Sequence, residues 1–122
     1  MNKQQYEAWV INADEKLQHS NLFKDSAHQE IYSSYNGYVA ALGVSVLMTG
    51  LVPTLAIYYQ DNEGVCRKNV VEVIAEMVGE NSARQLVESV LPSPDRSKEL
   101  QKKIVESSIA LKQVIRTYKL VD

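Results

Sequence analysis

Residues 31–60 carry no charged side chain, and this run limits what the chain can fold into more than any other feature. A bilayer span takes about 20 mostly apolar residues, so the run is long enough to be one. Its details argue otherwise. Gly43, Ser45, Thr49, Gly50, Pro53 and Thr54 interrupt the apolar residues, and the flanks are the acids Glu30, Asp61 and Glu63. No Lys or Arg cluster stands at either end to set an orientation. The expectation is therefore no membrane span, but helices apolar on all sides and buried inside a soluble protein.

Gly50 suits the left-handed conformation that closes a helix. Pro53 has no N–H to lose and a fixed φ, which fits the first turn of a following helix. "TGLVP" thus predicts a tight corner between two buried helices, the second over about 52–60. A proline kink in one long helix is the competing geometry. Gly37, Ala40, Ala41 and Gly43 are small enough to let a neighbouring helix approach closely.

Helical periodicity continues on both sides of the run. Tyr6, Val10, Ala13 and Leu17 mark a first amphipathic helix over about 3–19. Ser26-Ala27-His28-Gln29 has capping-box form and predicts the start of a second. After the turn "DNEG", Val70, Val73, Ile74, Met77 and Val78 form a stripe ending at Gly79. Ser82 and Gln85 have capping-box spacing before Leu86, Val87, Val90 and Leu91. In "LPSPD", Ser93 can cap and Pro94 can start a last helix. There Leu100, Ile104, Ser108, Leu111, Ile115 and Tyr118 recur at spacings of four and three. No run alternates like a strand. The fold class expected is all-α: a compact bundle of about six helices, with residues 1–122 forming a single domain.

Candidates for chemistry are few. His19 and His28 sit at expected helix ends, with no Cys or carboxylate at ligand spacing, so capping or surface roles fit them. Cys66 is the only cysteine, which rules out an internal disulfide and suits a reducing compartment. It has no base in view and reads as an inert thiol. Glu72, Glu76 and Glu80 are four apart, but the His of a carboxylate-bridged metal site is missing, so they read as a solvated acidic stripe. Tyr32, Tyr35, Tyr38, Tyr58 and Tyr59 read as core and interface residues rather than a platform for stacked bases. No catalytic, cofactor or metal site is expected, and the chain does not read as an enzyme. The N-terminal segment is amphipathic and contains acids, unlike a signal peptide.

Charge distribution points further. Residues 1–64 hold Lys3, Lys16 and Lys24 against seven acids, a balance of −4, whereas 95–119 hold seven basic residues against three acids, a balance of +4. On a helical wheel, Lys98, Lys102, Lys112, Arg116 and Lys119 fall opposite the apolar stripe of the last helix. Such a face is usually a solvated surface. It is also what a phosphate-contacting surface looks like.

"YNGYVAALGVSVLMTGLVPTLAIYY" resembles the signature of the small, fifth subunit of Cmr-type (type III-B) CRISPR effector complexes. Tyr35 opens it, Thr49-Gly50-Leu51 stand at its corner, and Thr54-Leu55-Ala56-Ile57-Tyr58 follow. "DRSKELQKKIVESSIALKQVIRTYKL" is similar to that family's C-terminal helix, with Ile109-Ala110-Leu111, Arg116 and Tyr118 in register. The chain departs from the pattern at Ala40-Ala41-Leu42-Gly43, where basic residues are common, and at Val114 and Thr117, in place of a Trp and a second Arg. The resemblance implies an all-α, non-enzymatic, cytoplasmic subunit of an RNA-targeting ribonucleoprotein. Its partners would be the backbone and large subunits, further copies of itself in a stack, and the crRNA and target RNA. Arg116 carries over as an RNA-contacting residue by register. Lys98, Lys102, Lys112 and Lys119 come from the wheel alone. The rival readings are a helical protein–protein adaptor, a small enzyme, and a helix-turn-helix DNA binder, whose 82–91 helix has only Arg84 to offer a groove.

Overall fold

A computed structural model describes residues 1–92 and 94–122, and for 94–97 the backbone alone. Six helices and two short strands run in the order α1 (Lys3–Gln18), β1 (Glu30–Tyr32), α2 (Ser33–Thr49), α3 (Leu51–Gln60), α4 (Arg67–Met77), α5 (Ala83–Val90), α6 (Pro94–Ile115) and β2 (Lys119–Val121). The mostly helical fold matches the expected class.

Asn2 caps α1 by a full capping box: its side chain accepts from the Gln5 N–H, and the Gln5 side chain accepts from the Asn2 N–H. The α2–α3 corner forms where "TGLVP" predicts it. Gly50 has φ 105°, its N–H closes α2 on the Val46 carbonyl, and Pro53 lies in the first turn of α3. The kinked single helix is ruled out. Two polar links hold the hairpin shut: the Ser45 and Thr54 hydroxyls at 2.7 Å, and the Tyr58 hydroxyl donating to the Tyr38 carbonyl at 2.7 Å.

One core joins the helices. It includes Leu17 of α1, Tyr35 and Leu42 of α2, Leu55 of α3, Leu86 of α5, and Ile104, Leu111 and Ile115 of α6. Helix α4 lies deepest, with Val70, Val71, Val73, Ile74, Ala75 and Met77 all buried. Helices α1 and α2 flank α6, and α2 lies close to it at Gly43, where an added Cβ would meet the Ser108 Oγ at 2.8 Å. That close contact explains a glycine inside a helix. Gly37, by contrast, has nothing within 4 Å, and Ala40 and Ala41 are exposed, so these three do not serve a close helix approach.

Four expectations need correction. No helix starts at Ser26. The Asp25 carboxylate accepts the N–H groups of Gln29 and Glu30, both at 2.9 Å, and His28 takes a left-handed φ of 56°. The chain then runs extended, and β1 pairs in parallel with β2, Ile31 opposite Leu120. A strand pair therefore exists where the periodicity showed none. Helix α6 ends at Ile115, not beyond Tyr118. The Tyr118 hydroxyl leaves the helical track to donate to Asp14 and accept from the Gln18 amide. Finally, the uncharged hairpin is buried on one side only: Val44 is 62% exposed, Leu47 64%, Met48 81% and Ile57 58%. The cap expected from Ser82 is present, accepting the Gln85 N–H at 3.1 Å, while Ser93 lies outside the described residues. Among the described residues, no helix is long and apolar enough to cross a membrane.

Candidate nucleic-acid interface

The buried track of α6 (Leu100, Ile104, Ser107, Ser108, Leu111, Ile115) fixes where its other residues face. Lys98, Lys102, Val105, Ile109 and Lys112 follow one another at spacings of four, three, four and three, so they share the outward side. Arg116 extends the line into the turn after the helix. Lys98, Lys102 and Arg116 are exposed, and no ion pair is recorded for them among the described residues. At a rise of about 1.5 Å per residue, the cations from Lys98 to Arg116 span about 27 Å.

The stripe is not basic throughout. Val105 and Ile109 make its middle apolar, with Ile109 43% exposed. Lys112 stands at the rim of a groove of about 210 Å³ between α2 and α6. Lys119 does not belong to the helix at all. It lies on β2, and its ammonium sits 3.7 Å from the Glu30 carboxylate. Of the five cations read from the wheel, the structure brings four into line and separates Lys119, because α6 stops four residues too soon to carry it.

A second set of cations was not legible as a surface. Arg67 and Lys68 open α4, the helix end where positive charge is least favourable. Arg67 is held by Asp61 at 3.2 Å and lies 4.7 Å from the centre of the Tyr38 ring. Lys68 lies 4.7 Å from the Tyr59 ring centre, and Lys24 5.8 Å from that of Tyr32. Three of the five tyrosines thus support cations at the surface. Tyr35 and Tyr58 are buried. Burial pushes both phenols above their ordinary pKa, partly offset at Tyr35 by the hydrogen bond from Asn69. The signal available in the sequence was the placement of two cations where a helix N-terminus usually carries acids.

The remaining candidates have local roles. Glu72 is not part of a solvated stripe: it accepts the Ala83 N–H at 3.0 Å and so caps α5 from α4. Cys66 is buried at the start of α4, His19 ends α1, and His28 stacks on Phe23 at 4.5 Å. Among the described residues, no group of three or more His, Cys, Asp or Glu side chains is placed to hold a metal ion.

This is a small, mostly helical fold with a line of cations on the outside of its last helix. It is similar to the X-ray structure of a CRISPR-associated Cmr5 family protein from Thermus thermophilus, with a TM-score of 0.73 at 18% identity, covering 98% of this chain and 99% of that one. No curated protein matches the chain. The family model for CRISPR-associated protein Cas_Cmr5 matches residues 12–119. The chain belongs to the Cmr5 family, and thereby to the subunits of the type III-B CRISPR complex.

Proposed function

We propose that this chain is a non-catalytic, cytoplasmic subunit of the complex, residues 1–122 working as one domain that stacks with copies of itself and helps hold the crRNA–target RNA duplex. The observation that carries the RNA part is the line of Lys98, Lys102, Lys112 and Arg116 along the outside of α6, within a family of CRISPR-associated proteins. Cations in line on a rigid helix contact successive phosphates without reading sequence, so they position a duplex that base pairing has already specified. Lys119 contributes less, since Glu30 partly neutralises it.

The test is RNA affinity across salt concentrations, measured on the reconstituted complex with wild type and with the double variant Lys102→Glu, Arg116→Glu, both exposed and outside the α2–α6 groove. Removing one cation from a phosphate lowers the slope of log affinity against log salt by about 1, so the variant should lower it by about 2. Unchanged affinity and slope would remove α6 from the interface.

A further inference from the structure

The groove between α2 and α6 is uncovered although its walls are apolar. Ala40, Val44 and Leu47 line it from α2, and Val105 and Ile109 from α6. Its floor is the close contact of Gly43 with Ser108. An apolar surface continuing onto Met48, 81% exposed, is what a protein contact site looks like. The single charged residue in the lining is Lys112, with Lys102 and Arg116 farther along the same helix. An occupant must therefore bring an apolar side chain flanked by carboxylates.

The chain itself presents such a surface. On the outside of α1, Ile11 is 69% exposed, with Ala8 beside it. Glu7 and Glu15 lie four residues before and after it on the same face, both exposed. The only ion pair recorded there among the described residues is an exposed one, Glu15 with Lys16 at 3.7 Å, which holds the carboxylate weakly. The acidic N-terminal part and the basic C-terminal part of the charge distribution thus each have an apolar centre.

We infer that the α2–α6 groove receives the outer face of α1 from a second copy of the chain, with Ile11 entering between Val44 and Ile109 and Glu7 or Glu15 facing Lys112. This rests on the stacking part of the proposed function and assigns its two faces. Because the donor and acceptor surfaces differ, the contact is head-to-tail. Each copy keeps one free groove and one free α1, and the assembly grows as an open stack rather than closing as a symmetric pair.

Sedimentation velocity on the full chain over a range of concentrations tests this, with helical circular dichroism confirming that the surface variants fold. Wild type should form concentration-dependent oligomers that weaken with salt. Ile11→Glu and Val44→Glu should each weaken self-association about tenfold or more. Mixed together they should form a one-to-one dimer and nothing larger, since one retains a groove and the other an intact α1. Lys112→Glu should weaken assembly, and Glu7→Lys with Glu15→Lys should restore it. Wild type that stays monomeric, a mixture that fails to pair, or a symmetric dimer overturns the proposal. So does a reconstituted complex that loses the Val44→Glu subunit yet accepts Ile11→Glu as well as wild type, because the groove then takes a different chain. RNA affinity of the Ile11→Glu complex separates this proposal from the RNA reading: Ile11 is not on α6, so affinity per bound subunit should be unchanged.

Discussion

Helices α2 and α6 pack on one another, and their inner faces are built alike. Tyr35, Val39, Leu42 and Val46 of α2 and Ile104, Leu111 and Ile115 of α6 all enter the same core. Their outer faces differ completely. That of α2 has no charge and exposes Val44, Leu47 and Met48, whereas that of α6 sets lysines around an apolar middle. The difference teaches that the fold dictates the inner residue of each turn and leaves the outer one to whatever covers the helix. A uniform apolar run is then ambiguous, because burial in the core and burial in an assembly ask for the same residues.

The likeness of the inner faces breaks most visibly by truncation. Leu42→Ala and Leu111→Ala should each cost about 2–5 kcal/mol in urea unfolding, since both side chains are fully buried. A cost below about 1 kcal/mol at either site would show that the two faces are not equivalent. The contact between the helices comes next. Gly43→Ala should destabilise by about 1–3 kcal/mol through overpacking, because the new methyl group displaces the Ser108 hydroxyl from its bond to the Val105 carbonyl. Adding Ser108→Ala should restore most of that stability. Gly37→Ala, on the same helix but in open space, should have the opposite sign and stabilise by about 0.5–1 kcal/mol. On the outer faces, Met48→Gln and Lys102→Gln should each change the stability of the isolated chain by no more than about 0.5 kcal/mol. A larger loss at Met48 would mean that its face already contributes to the monomer.

The smallest effect lies away from both helices. Backbone hydrogen bonds, first from Glu30 and then from Gln29, hold the Asp25 carboxyl below its ordinary value of 3.8. A depressed folded-state pKa adds stability above the unfolded value and loses it as pH falls through the folded one. Asp25→Asn should therefore lower stability slightly near neutral pH and flatten its decline below about pH 4, with the two curves converging in acid. An acid limb identical to that of wild type would mean that the Asp25 bonds are not made in solution.

Most of the fold was legible because long helices repeat their apolar residues many times, and because Gly50 and Pro53 have few other uses in "TGLVP". What escaped was short or non-local. Three residues of β1 are too few to show alternation, and their partners lie near residue 120. Ser26 to Gln29 has the letters of a capping box, but Asp25 reaches the same N–H groups first. Tyr118 keeps helical spacing, yet its partners Asp14 and Gln18 belong to α1. The α6 line was legible for the same reason as the core, being its complement on the wheel. The cations beside Tyr38 and Tyr59 were not, since three helices, α2, α3 and α4, bring them together. Exposure of the hairpin's outer face was hidden by the ambiguity of apolar runs.

The Gly43–Ser108 contact also bears on how this family can diverge. Two positions far apart in the chain share a space that one hydroxyl and one hydrogen atom fill. Neither can enlarge unless the other shrinks, so substitutions there should be inherited as pairs. Among relatives, alanine at the first position should accompany alanine or glycine at the second. Because the same contact floors the groove, a swap of this kind would reshape the groove through its floor alone, leaving the exposed residues of its walls as they are.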